Sequence, residues 1–359
     1  MAHALALGRR GLGVCWPNPA VGCVIVADGR VVGRGWTRPG GRPHAEPVAL
    51  DQAGAAARGA TAYVTLEPCA HHGRTPPCAD RLIAAGIGRV VVALRDPDPR
   101  TDGGGLARLR AAGIEVTEAV LADQAAADHA GFLLRVRQGR PMLTLKLAAS
   151  FDGRIATATG ESRWITGPAA RRMVHGERAC HDAVMVGGGT ARADDPLLTV
   201  RDLGVAHQPV RVIAARLLDL PEEGRLAASA AEIPLILLHG PDADPARRAA
   251  WAARGAECLE VGLGPDGHLD PVAMLQVLGA RGLTRVFCEG GGDLAAALLS
   301  AGLVDALIGF SAGVALGAEG RPALGALGLS RLAEAPRFDL EGTRQIGADV
   351  VHRWRRAVP

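Results

Sequence analysis

Aromatic residues are scarce in this sequence, since Phe, Trp and Tyr together make up 3% of its 359 residues. Its hydrophobic cores must therefore depend on Ala, Val, Leu and Ile. No run of Lys and Arg is interleaved with aromatic residues, which argues against a nucleic-acid groove. No apolar run is long enough to cross a bilayer, and residues 1–13 lack the apolar core of a signal peptide. We therefore expect no nucleic-acid partner and no membrane contact.

The sequence also lacks the regular cysteine spacing of a disulfide framework. Its seven cysteines are scattered, and two of them are better explained as metal ligands than as a disulfide pair. Positive and negative charges nearly balance, with 40 Lys and Arg against 37 Asp and Glu. We expect a cytoplasmic protein.

The length of the chain predicts two domains, because 359 residues exceed what one compact core usually holds. A polar breaker, Gln138-Gly139-Arg140-Pro141, follows a predicted helix, so we place the boundary there. The predicted domains are residues 1–141 and 142–359. Apolar strand patterns alternate with helical patterns in both, which predicts the α/β class.

One stretch of the first domain carries a recognisable chemical pattern. His44 is followed two residues later by Glu46, and Cys69 and Cys78 come further on, each directly after a proline. One imidazole and two thiolates can bind Zn²⁺ and leave a fourth position for water. A carboxylate beside them can move protons between that water and an amine leaving group. This arrangement is the signature of zinc nucleobase deaminases, except that eight residues separate the cysteines here instead of two.

The predicted local structure suits a metal site. His44 begins a predicted helix over residues 44–57, and Cys69 follows a predicted strand over residues 61–66. Free backbone N–H groups at such positions favour a bound anion or a thiolate. The competing interpretation makes these residues ordinary buried loop residues, but the whole combination is much rarer than any of its parts.

Two further histidines, His71 and His72, are rival ligands. Adjacent side chains cannot easily both reach one metal that Cys69 and Cys78 already bind. We therefore leave the two histidines out of the ligand set and assign them no role.

Glycine runs follow two predicted strands of the second domain, at residues 182–186 and 285–289. Glycines between a strand end and a helix start let backbone N–H groups approach a phosphate. Neither run is G-x-G-x-x-G, and no ribose-binding acid is placed as a Rossmann fingerprint requires. By themselves the runs suit tight turns as well as cofactor loops.

A predicted helix that begins at Pro168 has one basic face. Arg171, His175 and Arg178 lie at positions i, i+4 and i+7 of this helix. Such a face is usually solvated, and only a phosphate-binding role would change that interpretation.

Longer motifs of the first domain point to a known family. Residues 17–26 read P-N-P-A-V-G-C-V-I-V, residues 43–46 read P-H-A-E, and residues 63–78 read Y-V-T-L-E-P-C-A-H-H-G-R-T-P-P-C. These motifs resemble those of the bifunctional riboflavin-biosynthesis deaminase–reductase family. The resemblance implies a cytidine-deaminase-like domain with three α/β/α layers.

The same resemblance implies roles for individual residues of the first domain. Zinc would be held by His44, Cys69 and Cys78, and Glu46 would be the catalytic proton shuttle. The implied substrate-binding residues are Asn18, which would hydrogen-bond the substrate, and Arg74, which would bind its phosphate.

The second domain resembles the reductase half of the same family. The similarity lies in L-K-L-A-A-S-F-D-G-R at residues 145–154, G-E-S-R-W-I-T at 160–166, A-D-D-P-L-L-T-V-R at 193–201 and A-G-L-V-D at 301–305. The resemblance implies a dihydrofolate-reductase-like fold, which would explain an NADPH site without a Rossmann motif. The implied NADPH-binding residues are Ala148, Trp164, Thr190, Asp194 and the loop Gly291, Gly292, Asp293, Leu294, Ala295, Ala296 and Ala297. The implied substrate-binding residues are Ser162, Arg178, Leu198, Arg201 and Glu289.

Three positions depart from the family pattern. Thr37 stands where we expect a histidine, and Val48 stands where many relatives carry a polar residue. Ala215-Arg216 replaces Asp-Ser, and Arg216 either pairs with the 2′-phosphate of NADPH or is merely exposed. Lys146 and Asp152 lie near the implied hydride-transfer position without an assigned step.

The implied function joins two reactions on small-molecule pyrimidine ribotides. Zinc would assist removal of the C2 amino group of 2,5-diamino-6-(5-phosphoribosylamino)pyrimidin-4(3H)-one, and NADPH would then reduce the ribosyl side chain to ribityl. The alternatives are a zinc deaminase for another base, with a degenerate second half, and a non-catalytic zinc-stabilised scaffold. Glu46 argues against the scaffold, because a structural zinc site usually has a fourth protein ligand. We expect a homo-oligomer.

Overall fold

The computed structural model describes residues 1–73 and 76–357 of the chain. The chain divides into two compact units, Met1–Gly139 and Arg140–Pro359. Both units mix helices with β-sheets, as the alternating patterns predict. Among the described residues, no helix combines the length and the apolar character that a membrane crossing needs.

The first unit is built on a five-stranded sheet with the strand order β2-β1-β3-β4-β5. Its strands are β1 (Gly22–Ala27), β2 (Arg30–Trp36), β3 (Thr61–Val64), β4 (Arg89–Val92) and β5 (Glu115–Thr117). Its helices are α1 (Ala2–Gly8), α2 (Ala45–Ala53), α3 (Cys78–Ala84), α4 (Gly104–Ala111) and α5 (Ala122–Gln138). Short 3₁₀ turns are at Arg9–Gly11, Pro39–Gly41 and Gly54–Ala57. The first two strands form the predicted hairpin, while β3, β4 and β5 are parallel.

Aliphatic side chains form the core of this unit on both faces of the sheet, as the shortage of aromatics requires. Alanines and leucines of α2, α3 and α4 pack on one face with Cys23 and Ile25, and α1 packs on the other with Val24. Two glycines of β2 bring α2 unusually close. A Cβ at Gly33 would lie 2.2 Å from the Ala49 carbonyl oxygen. This close packing positions the N-terminus of α2, where the candidate metal site lies.

The second unit is built on a nine-stranded sheet with the order β11-β10-β9-β8-β12-β6-β13-β16-β15. Its strands are β6 (Met142–Ser150), β7 (Arg154–Ala156), β8 (Ala183–Gly187), β9 (Val210–Ala214), β10 (Leu235–His239), β11 (Glu257–Glu260), β12 (Arg285–Cys288), β13 (Ala306–Ala312), β14 (Arg321–Pro322), β15 (Phe338–Ile346) and β16 (Asp349–Arg356). Its helices are α6 (Pro168–Ala179), α7 (Gly188–Asp194), α8 (Arg225–Ala228), α9 (Pro245–Ala253), α10 (Pro271–Ala280) and α11 (Gly292–Ser300), with a 3₁₀ turn at Leu332–Glu334.

The sheet of the second unit is parallel from β11 to β13 and antiparallel from β13 to β15. A short ribbon of β14 and β7 lies outside it. Because β8, β12 and β6 are parallel neighbours, their carboxyl ends meet at one edge of the sheet. Buried aliphatic residues of β8, β9, β10 and their helices pack around Trp251, which is fully buried.

Candidate active sites

His44, Cys69 and Cys78 come together in the first unit, although the sequence separates them widely. His44 caps the N-terminus of α2, Cys69 lies in the loop after β3, and Cys78 begins α3. Their ligand atoms all lie within 4.8 Å of one another. His44 Nδ1 is 3.4 Å from Cys78 Sγ and 3.8 Å from Cys69 Sγ. Within residues 1–73 and 76–357 this is the one such cluster of metal-ligating side chains.

The donor set fits zinc, since one imidazole nitrogen and two sulfurs leave one tetrahedral position for water. Hydrogen bonds from the Cys78 thiol, from His44 and from the Cys78 backbone N–H lower the pKa of Cys69. The pairing with Cys69, together with burial, raises the pKa of Cys78. One of the two sulfurs is thus already favoured as a thiolate, and both must be thiolates to bind a metal.

Glu46 lies in the first turn of α2, beside the three ligand residues, and is 3% exposed. Burial raises the pKa of Glu46 to about 7, and the neighbouring His44 opposes this rise. A carboxyl group with a pKa near neutrality can both take up and release a proton at working pH. Its place next to the ligand set is what a proton shuttle requires.

Asn18 is the candidate substrate-binding residue that the structure brings to this site. Its Nδ2 donates to the Gly41 carbonyl at 2.8 Å and lies 3.3 Å from His44 Nε2. Gly41 has a φ of 80°, and a Cβ there would lie 2.7 Å from the Asn18 side chain. The close contact fixes the Asn18 amide against the imidazole. Arg74, the candidate phosphate ligand, lies outside the described residues.

Thr37, which stands where we expect a histidine, does not offer its side chain to the metal site. Its side chain is 1% exposed, and its hydroxyl accepts a hydrogen bond from the Val21 backbone N–H at 3.1 Å. The hydroxyl therefore joins the end of β2 to the start of β1. His71, the rival ligand, has its Nδ1 3.4 Å from Thr101 Oγ1, and the ligand cluster does not include it.

Sequence reasoning missed the part played by Glu67, two residues before Cys69. Its buried carboxylate accepts hydrogen bonds from four backbone N–H groups, those of Asp96, Gly103, Gly105 and Leu106, at 3.0–3.2 Å. These bonds hold the loop after β4 and the start of α4 against the Cys69 loop. The one available signal was an acidic residue at a strand end, which cannot reveal partners some thirty to forty residues away.

The second unit contains a buried ion pair between Arg178 of α6 and Glu289, which follows β12. Arg178 Nη2 lies 3.0 Å from Glu289 Oε2, and Arg178 Nη1 donates to the Thr199 carbonyl at 2.7 Å. Lys146 of β6 adds a third charge, with its Nζ 3.8 Å from Glu289 Oε2. Arg201 is nearby, because its backbone N–H contacts the His175 ring and its Nη1 lies 3.4 Å from Thr199 Oγ1.

The expectation of a solvated basic face on α6 is therefore wrong. Arg178 is 11% exposed and paired with Glu289, while Arg171 donates to the Thr166 carbonyl at 2.7 Å. His175 Nδ1 lies 3.1 Å from the Thr199 carbonyl oxygen. The face points toward the loop around residue 199 and the end of β12, because buried acceptors there compensate its charges.

The two glycine runs lie side by side at the carboxyl ends of β8 and β12. The Gly187 N–H donates to the Gly290 carbonyl at 3.2 Å, and a Cβ at Gly291 would lie 3.0 Å from Thr190 Oγ1. Gly189 and Gly290 have open space where a side chain would project. The runs therefore leave backbone accessible at a strand-to-helix junction, which fits a nucleotide phosphate.

Some predicted NADPH residues are placed differently from the expectation. Residues 291–297 are not a loop, because α11 already begins at Gly292 and continues through three alanines with high helix propensity. Trp164 is 69% exposed, with the Arg171 guanidinium 4.5 Å from its ring centroid. Asp194 ends α7, and its carbonyl accepts a hydrogen bond from Arg225 at 2.8 Å. Ala148 is half-buried on β6.

Leu198, a predicted substrate residue of the second unit, has a side chain that cannot reach a ligand. It is 2% exposed and packs in the core around Trp251, so it can offer only its backbone, which has a φ of 55°. Ser162 is half-buried in the loop before α6. Arg216, whose role was open, pairs with Asp242 at 2.8 Å.

The fold and the sites define a class: a zinc-type deaminase unit joined to a reductase unit that binds a nucleotide cofactor. Residues 1–94 match the cytidine and deoxycytidylate deaminase zinc-binding region, and residues 141–352 match the RibD C-terminal domain. The chain belongs to the RibD family of riboflavin biosynthesis proteins.

Relatives match over nearly the whole chain. The riboflavin biosynthesis protein RibD of Escherichia coli K12 is 45% identical over 354 residues, which cover 98% of this chain and 96% of the relative. The structure of Acinetobacter baumannii RibD, form 1, is 41% identical with a TM-score of 0.89, over 99% of this chain and 98% of that one. A Thermotoga maritima structure, named as the deaminase/reductase, is 34% identical with a TM-score of 0.86, and the match covers 99% of this chain and 97% of that one. These matches confirm a cytidine-deaminase-like domain followed by a dihydrofolate-reductase-like domain, with zinc and NADPH as cofactors.

Proposed function

We propose that the chain catalyses two consecutive steps of riboflavin biosynthesis, with residues 1–141 as the deaminase and 142–359 as the reductase. The first step removes the C2 amino group of 2,5-diamino-6-(5-phosphoribosylamino)pyrimidin-4(3H)-one. The second reduces the ribosyl side chain of 5-amino-6-(5-phosphoribosylamino)uracil to ribityl. The observation that carries the proposal is the buried carboxyl of Glu46 beside His44, Cys69 and Cys78.

In the deamination step, His44, Cys69 and Cys78 would hold zinc, which supplies Lewis-acid activation of a water molecule when bound. Glu46 would take a proton from this water, whose oxygen bonds to C2, and would deliver the proton to the amino group, which leaves as ammonia when its bond to C2 breaks. Its position in the first turn of α2, buried beside the ligand residues, supports both transfers. Asn18, held by the Gly41 carbonyl, would orient the pyrimidine beside the His44 ring.

In the reduction step, NADPH supplies a hydride to C1′ of the ribosyl group when bound. The adjacent glycine runs with Thr190 fit its phosphates, and Trp164, Asp194 and Ala148 are the further residues proposed to hold it. The start of α11 takes the place of the expected loop.

Two of the predicted substrate-binding residues, Arg178 and Arg201, could bind the phosphate of the reductase substrate, and they differ in the donors that they have available. Arg178 already uses Nε, Nη1 and Nη2 toward Glu289 and Thr199. Arg201 makes one long side-chain contact, to Thr199 Oγ1 at 3.4 Å. We therefore assign the main phosphate contact to Arg201, while Arg178 holds Glu289 in place.

The remaining proposals concern the state of the protein in the cell. We propose a cytoplasmic homo-oligomer that binds small ribotides and no nucleic acid. None of the seven cysteines forms a disulfide, which supports a reducing compartment.

The test is an assay of the full-length protein in stages. We expect about one zinc per chain, ammonia release from the diaminopyrimidine ribotide without NADPH, and NADPH oxidation only once deaminated product is present. Supplying 5-amino-6-(5-phosphoribosylamino)uracil directly should bypass the first step. Zinc and ammonia without NADPH oxidation from either compound would contradict the reductase half, and protein without zinc or ammonia release would contradict the deaminase half.

A further inference from the structure

A pocket of about 500 Å³ lies along the open edge of the sheet in the first unit. The edge strand is β2, and the pocket walls come from α1 and the turn after it, from the end of β2, and from α2. Three arginines, Arg10, Arg34 and Arg38, line it around Trp36, and its lining contains no acidic residue. We call it the edge pocket.

Trp36 holds two of these cations close together. The Arg38 guanidinium carbon lies 3.7 Å from the Trp36 ring centroid, and that of Arg10 lies 5.0 Å from it. The two charges are therefore at most about 9 Å apart, which is close to the screening length of about 8 Å at physiological salt. Stacking on the ring fixes both guanidinium groups beside the pocket.

No acid of the described chain compensates the three arginines. Other arginines of the first unit pair with carboxylates, as Arg108 does with Asp80. Across residues 1–73 and 76–357, Arg10, Arg34 and Arg38 form no such ion pair. Like charges held this close repel one another, and an anion placed between them would remove the repulsion.

The edge pocket is separate from the metal site, although both use α2. Glu46 faces the metal ligands, while Val48 comes about 200° further around the helix and lines the edge pocket. Gln52, on the same side as Val48, accepts a hydrogen bond from the Arg34 backbone N–H at 2.7 Å. None of the candidate ligands of the metal lines the pocket.

We propose that the edge pocket binds a small phosphate-bearing anion with at least two negative charges. The planar forks of Arg10, Arg34 and Arg38 offer paired N–H donors that match phosphate oxygens. The volume suits a ligand of mononucleotide size. Trp36 is already covered by guanidinium groups, so it orients donors and is not a stacking surface for a base. This site goes beyond both proposed reactions and does not depend on them.

The test is calorimetric titration of the zinc-loaded, full-length protein with inorganic pyrophosphate at low and at physiological salt. Pyrophosphate can also bind at the two substrate sites, so a comparison with a pocket variant is needed to identify binding at the edge pocket. We expect the variant Arg34→Gln/Arg38→Gln to bind pyrophosphate at least tenfold more weakly at the edge pocket. In the wild type, binding at the edge pocket should weaken as salt rises. Deamination should continue in this variant, which shows that the unit is folded.

The matched control is Arg89→Gln/Arg110→Gln, which removes the same charge from arginines of the same unit that are paired with Glu115 and Glu118. We expect it to bind pyrophosphate as the wild type does. Equal binding by wild type and pocket variant would overturn the proposal, as would an equal loss in the control. Sedimentation provides a further check. If the pocket variant lost self-association without any change in pyrophosphate binding, the edge pocket would be a contact between copies of the chain and the proposal would be overturned.

Discussion

The Arg178 guanidinium and the Glu289 carboxylate form a two-point ion pair inside the second unit, with Nη2 and Oε2 3.0 Å apart and Nε bonded to Oε1. Their side chains are 11% and 10% exposed. Burial raises the pKa of Glu289, but the charges of Arg178 and Lys146 lower it below its usual value. Glu289 is therefore a buried anion that two cations keep ionised.

Replacement of Arg178 by alanine should harm both stability and reduction. It leaves the Glu289 charge buried with Lys146 alone, and loss of one partner of a buried pair costs about 3–5 kcal/mol. We expect a fall in unfolding free energy at the lower end of that range, because Lys146 remains within 3.8 Å. Urea denaturation would measure the loss, and NADPH oxidation with the deaminated substrate should fall to background.

The double variant Arg178→Ala/Glu289→Gln separates the two effects. Neutralising the uncompensated carboxylate should restore at least half of the lost stability and none of the reductase activity. If the double variant were as unstable as Arg178→Ala alone, the buried charge of Glu289 would not be the cause.

Glu46→Gln should stop deamination without removing the metal. The amide has the size of the carboxyl group but cannot take a proton, and loss of general acid–base catalysis costs about 10²–10⁴-fold in rate. We expect ammonia release to fall in that range, with zinc content unchanged. Reduction of supplied 5-amino-6-(5-phosphoribosylamino)uracil should continue at the wild-type rate. Loss of zinc in this variant would mean that Glu46 acts on the ligand set and not on protons.

Cys78→Ser should lose zinc, because a hydroxyl replaces one of the two sulfur ligands. We expect zinc content well below that of the wild type after dialysis, with deamination lost in parallel. Cys180→Ser is the matched control, since Cys180 is an exposed free thiol of the second unit. It should keep both its zinc and its activity. Equal zinc in the two variants would contradict the assignment of Cys78.

The first unit was predictable from sequence because its chemistry is carried by short local patterns. His44 begins a helix and Cys69 follows a strand, and the structure has α2 and β3 within a few residues of the predicted bounds. Strands β2 and β3 both pair antiparallel with β1, so they end at the same edge of the sheet, and the segments that carry His44 and Cys69 start from that edge. Glu67 was not predictable, because its partners lie 29 to 39 residues away in sequence.

The second unit was harder to predict for two physical reasons. Its strands β9 and β10 are short, mostly apolar runs of five residues, whose periodicity does not separate a buried strand from a helix. Strand β11 has four residues, E-C-L-E, and its sequence carries no apolar run. The basic residues of α6 are spaced as they would be on a solvent-exposed helix face. Glu289, the acid that pairs with Arg178 in the interior, lies 111 residues away in sequence. Local pattern cannot supply a partner at that distance.

His181 gives the second unit a dependence on pH. It is 4% exposed, and its ring nitrogens lie 2.7 Å from the Glu177 carbonyl oxygen and 3.0 Å from Thr144 Oγ1. Burial, with the charges of Arg285 and Arg353, lowers the pKa of His181 to about 3. The unfolded chain binds this proton more readily, so the contribution to stability is complete above about pH 6.5 and is lost as pH falls toward 3.

His181→Gln should remove that dependence, because glutamine can keep polar contacts without titrating. For the wild type, the shift of the His181 pKa from about 6.5 to about 3 predicts that this residue lowers the free energy of unfolding by about 2 kcal/mol between pH 8 and pH 5. Urea denaturation at both pH values should therefore show a smaller fall for His181→Gln, by about that amount, than for the wild type. His207→Gln, at an exposed position of the same unit, should fall as the wild type does, since other groups titrate equally in all three proteins. An equal fall in His181→Gln and wild type would show that the buried imidazole is not what makes the unit sensitive to acid.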